Sequence, residues 1–307
     1  MRRITIGTDP EFFMVNKNNG KLTSAIPYIK GTKHEPQLLP SGGNIQYDNV
    51  AVEFATRPAG SSFDFIKQLK QAFTEVIDVL PKDMDIVAVQ SADFPADQLT
   101  SPEACEFGCS PDYNAWDIRE NERPIPPNPN FRSCGGHIHV GCIDEEGNLI
   151  DKDMAFLLEP MGKILMVRGM DLFHGIISTV LDSSAPAIKR RELYGKAGCH
   201  RPTAYGCEYR TLSNYWTKTP YSSMLMSSLT DDVVELIINE ELEDLISQVG
   251  AEKIQDIINN GDVQEANRII NNILINHLSN ETKFYLQECI TNLSDAGTIK
   301  KEWALAA

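Results

Sequence analysis

Four short segments carry titratable side chains at the two-residue spacing of an extended chain: GTDPEFFMV (7–15), DNVAVEFATRP (48–58), CGGHIHVG (134–141) and GCEYRTLSN (206–214). Alternate side chains of a strand share a face. Asp9 and Glu11 therefore point one way, and Phe12 and Met14 the other. Glu53 stands between Ala51 and Ala55, opposite Val50, Val52 and Phe54. His137 and His139 oppose Ile138 and Val140, and Glu208 shares a face with Arg210. Asp48 has the wrong parity for Glu53 and joins it only through a turn or bulge, so it ranks lower.

Each segment alone has an ordinary explanation. A polar strand face can simply meet water, an isolated histidine is commonly a packed side chain, and a carboxylate beside a guanidinium can be a surface ion pair worth little. As a set, Asp9, Glu11, Glu53, His137, His139, Glu208 and Arg210 would put several acids on one sheet face, where they repel unless cations sit among them. A divalent metal pair is the filler this pattern favours, with Arg and Lys nearby for phosphates. Gly135 and Gly136 are expected to allow a bulky ligand close to the backbone. The His-x-His spacing equally suits zinc, so a metallohydrolase that activates water through His137 and His139 stands as an alternative. A non-catalytic nucleotide-binding protein is a third.

Those strands need a frame. Hydrophobic alternation predicts strands over 4–15 and 50–56, with a hairpin turn at Asn18-Asn19-Gly20. Phe63, Ile66, Leu69, Phe73, Val76, Ile77 and Leu80 keep a helical period that Pro81 stops, and a strand is expected over 85–92. Residues 93–133, rich in Pro, Asn and Asp, read as a long functional loop. From 221 onward the apolar spacing is helical. The expectation is one α+β domain, catalytic over 1–220, with 221–307 as its helical C-terminal portion.

Composition excludes several classes. The formal charge of −15 opposes groove binding to nucleic acid. The most apolar long stretch, 161–181, contains Lys163, Arg168, Asp171 and His174, so it is expected to be a buried or amphipathic helix and no membrane association is predicted. Seven cysteines without a CxxC pair or a leader fit a reducing cytoplasm, with Cys105 and Cys109 as free thiols. The segment 189–210 reverses the acidic trend with Lys189, Arg190, Arg191, Lys196, Arg201 and Arg210, and points to a small-anion site.

GTDPEFF resembles the acidic strand of the glutamine synthetase superfamily, GGHIHVG its histidine strand and that of glutamate-cysteine ligases, and CEYRTLS their Glu-x-Arg strand. With DNVAVEFATRPA, FGCSPDYNAW and LYGKAGCHRPTAYGCEYR, the chain over residues 1–220 most resembles the phage-encoded COOH-NH2 ligase (amidoligase, type 2) group. The resemblance implies an antiparallel sheet of glutamine synthetase type, whose concave face binds ATP and two or more Mg2+ or Mn2+ ions, with helices on the other face. Glu11, Glu53, His137 and Glu208, with Asp9 beside them, look like metal ligands. His139 and Arg210 look like phosphate contacts, Lys196 like a further nucleotide contact, and Arg191 and Arg201 like anion clamps, the three arginines being the expected catalytic groups. The implied reaction is ATP-dependent amide formation between a carboxylate and an amine, small-molecule or peptide, through an acyl phosphate. The implied setting is the host cytoplasm for a phage-encoded chain, and a homo-oligomer is compatible with it.

Overall fold

Alternating polar and apolar residues over Thr5–Asn16 produce one long central strand, to which several others pair. The computed structural model describes residues 3–105, 112–126 and 128–305. Along Thr5–Asn16, residues 5–10 pair with Gly136–Gly141, Glu11 and Phe12 with Ala51–Ala55, and residues 13–16 with Met84–Val87. The predicted hairpin also forms: Met14 and Val15 pair with Leu22–Thr23 across a turn in which Gly20 has φ 70°.

The main path of the sheet runs Gln37–Leu38, Asn44–Asp48, Ala51–Ala55, Thr5–Asn16, Gly136–Gly141, Gly206–Tyr209, Cys199–Pro202, Tyr113–Asn114, Arg119–Glu120. Every pairing on it is antiparallel. The architecture is α+β, as expected.

One face of this sheet is core. Phe12, Val52, Phe54, Ile138, Val140, Cys207 and Tyr209 are buried there, beneath the helices Ser62–Val79, Pro160–Leu181 and Pro220–Ile238. The rings of Phe12, Phe54 and Phe73 meet with centroids 5.2–5.7 Å apart, contacts worth about 0.5–1.5 kcal/mol each beyond area burial. The helical C-terminal region packs into the same core, where Trp303 is buried and donates from Nε1 to the Thr217 carbonyl at 2.9 Å.

Three local expectations shift. Helix Ser62–Val79, capped by the Ser61 side chain, turns its buried stripe through Phe65, Leu69, Ala72, Phe73 and Val76, while Phe63 is 76% exposed. The strand expected over 85–92 divides into Met84–Val87 and Ser91–Asp93, the latter pairing with Phe131–Ser133 in a small separate sheet. The 93–133 loop supplies the two strands at one end of the main path. Pro160–Leu181 is long and apolar enough to cross a membrane by length and composition, but 78% of its most apolar window is buried in the fold. Cys105 is a free thiol; Cys109 lies outside the described residues.

Candidate active site

Antiparallel register carries the polar residues of separate strands into one row on the face opposite the core. Asp9 lies opposite His137, Glu11 opposite Glu53, and Glu208 between His139 and Arg201. Directly opposed residues share a face, so the strand alternation read from the sequence is sufficient to assemble the row. It has two electrically different halves.

The first half is neutralised. His137 Nδ1 lies 3.1 Å from Asp9 Oδ1 and 3.6 Å from Glu208 Oε1. Arg201 Nη1 donates to both Glu208 oxygens, at 3.2 and 2.9 Å, and Arg210 Nη1 donates to Oε1. Burial alone would raise both acids. The two histidines nonetheless hold Asp9 well below its ordinary value, and Arg210 leads the groups that hold Glu208 below its own. His139 takes a different position: Nδ1 meets the Tyr205 hydroxyl at 2.6 Å, and Nε2 stands 3.1 Å from Asp9 Oδ1. That second contact is out of line for a hydrogen bond, which leaves a buried ring nitrogen without a partner.

The second half makes no ion pair among the described residues, and His137 and Arg210 act on Glu11 only as neighbouring charges. Carboxylate oxygens of Glu11, Asp48 and Glu53 lie within 4.8 Å of one another. Their hydrogen bonds are neutral ones: Gln46 Nε2 donates to Glu53 at 2.8 Å and the Gly135 amide to Glu11 at 2.7 Å. Burial, then Asp9, Asp48 and Glu11, push Glu53 well above the usual carboxylate range, and burial raises Glu11 as well.

The donor sets fit divalent cations. Asp9, His139 and Glu208 offer ligand atoms within 4.8 Å of one another, as do Glu11, Asp48 and Glu53. The all-carboxylate set suits magnesium or manganese, the imidazole of the other set suits a transition metal, and the orphaned His139 nitrogen is the atom a cation would satisfy. His139 Nδ1 donating to Tyr205 would leave the Nε2 lone pair available, an arrangement common for metal-binding histidines.

Most of the expected residues converge here: Asp9, Glu11, Glu53, His137, His139, Glu208, Arg201 and Arg210. The structure adds detail to these expectations. His139 groups with Asp9 and Glu208 as a possible ligand set, whereas the His137 ring, also near both carboxylates, bonds Asp9 through Nδ1 and lies so close to Gly135 that a Cβ there would sit 2.4 Å from Nε2. Gly135 thus makes room for the protein's own imidazole rather than for a ligand. Asp48 joins the row because Asn49, at φ 54°, turns the chain between two strands; Asp48 then shares parity with Gln46, which opposes Glu53. Arg191 does not reach the row. It is buried, with Nη1 donating to the Asp182 carbonyl at 2.8 Å and Nη2 to that of Ser178 at 3.2 Å. Of the basic run, Lys189 pairs with Asp93 and Arg190 holds the Thr211 and Leu212 carbonyls. Lys196 lines a separate cavity. Tyr205, Gln46 and the Gly135 amide were not foreseen; Tyr205 had no signal beyond its place in the turn before Glu208.

Residues 126–303 match a family model described as phage phiEco32-like COOH.NH2 ligase-type 2. The match takes in the histidine strand, Arg201, Glu208, Arg210 and the helical region; the acidic strand and the Asn44–Ala55 hairpin precede it, unlike the span of 1–220 expected from motifs. No curated protein matches the chain. Among solved structures, the chain is similar to a bifunctional glutathione synthetase from Pasteurella multocida, at 10% identity and a TM-score of 0.49, over 98% of this chain and 48% of that one.

Proposed function

Because this chain belongs to the phage phiEco32-like COOH.NH2 ligase-type 2 family, we propose that it joins a carboxylate to an amine by using ATP to convert the carboxylate to an acyl phosphate. The observation that carries the ATP reading is the row itself, where an arginine-clamped half adjoins an acidic half that makes no ion pair among the described residues. Asp9, His139 and Glu208 would hold one divalent ion and Glu11, Asp48 and Glu53 another. The chemistry that bound Mg2+ or Mn2+ supplies is neutralisation of the triphosphate charge.

The remaining roles fall to the chain's own groups. Arg201 and Arg210, both anchored on Glu208, present fixed guanidinium charge where a transferring phosphoryl group needs it. Their orientation is set before substrate arrives, so little reorganisation is required during transfer. His137, bonded to Asp9, keeps that carboxylate turned along the row. Tyr205, whose hydroxyl burial raises to about 12, stays protonated and fixes the His139 ring.

Calorimetry of ATP binding with Mg2+ and with EDTA tests this reading. An uncompensated acid cluster repels triphosphate, so affinity should fall at least about 10-fold in EDTA, the equivalent of ~1.4 kcal/mol. Equal affinity in both conditions overturns the site, and metal binding with no ATP binding favours a hydrolase.

A further inference from the structure

Beside the row, a cavity of about 260 Å³ opens between the loop 112–124 and the segment 193–199. Its lining carries both signs of charge: the carboxylates of Asp112, Glu120 and Glu122 and the cations of Lys196 and Arg123. Asp112 stands at the seam with the row, because its Oδ2 is 3.6 Å from Nε of the same Arg210 that clamps Glu208. Asn121 fixes that carboxylate, donating from Nδ2 to Asp112 Oδ1 at 3.0 Å and to the Cys199 sulfur at 3.4 Å.

Lys196 is the unsatisfied group. It is half-buried, burial lowers its pKa, and its ammonium makes no hydrogen bond or ion pair among the described residues. A partly desolvated ammonium with no direct ion pair, and with Glu192 acting on it only as a neighbouring charge, is unfavourable, so an arriving anion would relieve it. The acids on the lining favour a cation instead. Pockets for drug-sized ligands run to roughly 300–1,000 Å³, so this one suits a small polar molecule rather than a nucleotide.

We infer that this cavity is the amine subsite of the ligase and takes a free amino acid as its zwitterion, with the ammonium toward Asp112 and the carboxylate toward Lys196. This rests on the row being the place where the carboxylate is activated, since Asp112 then brings the amine to its edge. The charges on the lining, rather than apolar contact, select the ligand, and an amine without a carboxylate or a carboxylate without an amine satisfies only part of it.

Ligand-observed NMR with the free amino acids, each paired with its N-acetyl and methyl-ester forms, tests the inference on the full chain. At least one amino acid should bind and lose about 10-fold or more in affinity on either capping, the order expected for one charge-assisted hydrogen bond. Lys196→Gln should lose a similar factor and Lys196→Arg should restore most of it, which separates lost charge from a misfolded variant. Absence of binding by every zwitterion, or equal binding of the capped forms, overturns the inference. ATP–Mg2+ binding without zwitterion binding rejects this subsite alone; zwitterion binding without ATP binding rejects the ATP reading and keeps the pocket.

Discussion

Glu53→Gln should behave unlike most substitutions of a buried charged residue. Two ionised carboxylates with oxygens within 4.8 Å of each other repel by roughly 3 kcal/mol or more at an effective dielectric constant of 20, and Glu53 faces both Glu11 and Asp48. Burial and the neighbouring acids push the Glu53 pKa well above the usual carboxylate range, which favours its neutral form and relieves this cost in the metal-free protein. The introduced amide is uncharged and its oxygen can still accept the Gln46 hydrogen bond. In EDTA the variant should therefore match the wild type within about 1 kcal/mol or exceed it. A divalent ion at 100 times its Kd stabilises the wild type by about 2.7 kcal/mol. For 307 residues, at roughly 2.1 cal/mol/K per residue, that raises Tm by about 4 °C. The variant lacks a charged ligand and should keep less than about 1 °C of that shift. Thermal melts in EDTA and in Mn2+ read both numbers. A loss above about 3 kcal/mol in EDTA would make Glu53 a structural acid, and a full metal shift in the variant would remove it from the ligand set.

Arg191→Ala should cost about 3–5 kcal/mol, because it leaves buried Asp182 without its cation and two carbonyls without donors; a urea midpoint close to wild type would return Arg191 to the pool of anion clamps. His174 is fully buried, with Nε2 at hydrogen-bond distance from the Met226 carbonyl and Thr230, and burial lowers its pKa to about 4. The unfolded chain, with a histidine near 6.5, binds more protons between those values, so this residue's contribution to stability is present above about pH 6.5 and is lost as pH falls toward 4, by up to ~3 kcal/mol. Asp171, raised by burial to about 6, slopes the other way over an overlapping range, so the test is the difference between wild type and His174→Gln in urea melts at pH 7 and pH 5. The variant should gain on the wild type at the lower pH; a pH-independent difference would mean that His174 is not held neutral.

The row was legible because strand alternation is a strict rule. Once Asp9, Glu11, Glu53, His137, His139 and Glu208 are on strands, parity fixes their face, and antiparallel register does the rest. Asp48 ranked lower because it needed a turn or bulge to join Glu53, and the turn at Asn49 supplies it, since parity holds only within one strand. Arg191 was misjudged for a different reason. It lies on a helix, Ala185–Leu193, whose orientation depends on tertiary packing that no local pattern encodes. The difference between His137 and His139 was equally hidden, since both share a face and only close packing at Gly135 and the Tyr205 hydroxyl, contributed by another segment, set the two rings apart. The cavity beside Asp112 joins two segments some 80 residues apart, Asp112–Pro124 and Leu193–Cys199, and chain-distant loops leave no joint periodicity to read.

The central strand has a further consequence for how the molecule comes into being. Residues 5–10 find their strand partner on one side at Gly136–Gly141, far along the chain, and Glu208 closes the row later still. Contacts of such separation fold slowly, and at translation rates of ~5–20 residues per second the strand waits on the order of 10–40 s before Glu208 is made. During that interval residues 5–10 lack one strand partner, although Phe12–Asn16 can already pair with Leu22–Thr23, Ala51–Ala55 and Met84–Val87, and such an open edge is a template for edge-to-edge aggregation. Asp9 and Glu11 lie on the same strand, and like-charged copies repel. The carboxylates proposed for the mature row would then discourage self-pairing before the sheet is complete, and the soluble yield of an Asp9→Asn, Glu11→Gln variant is the measurement that checks it.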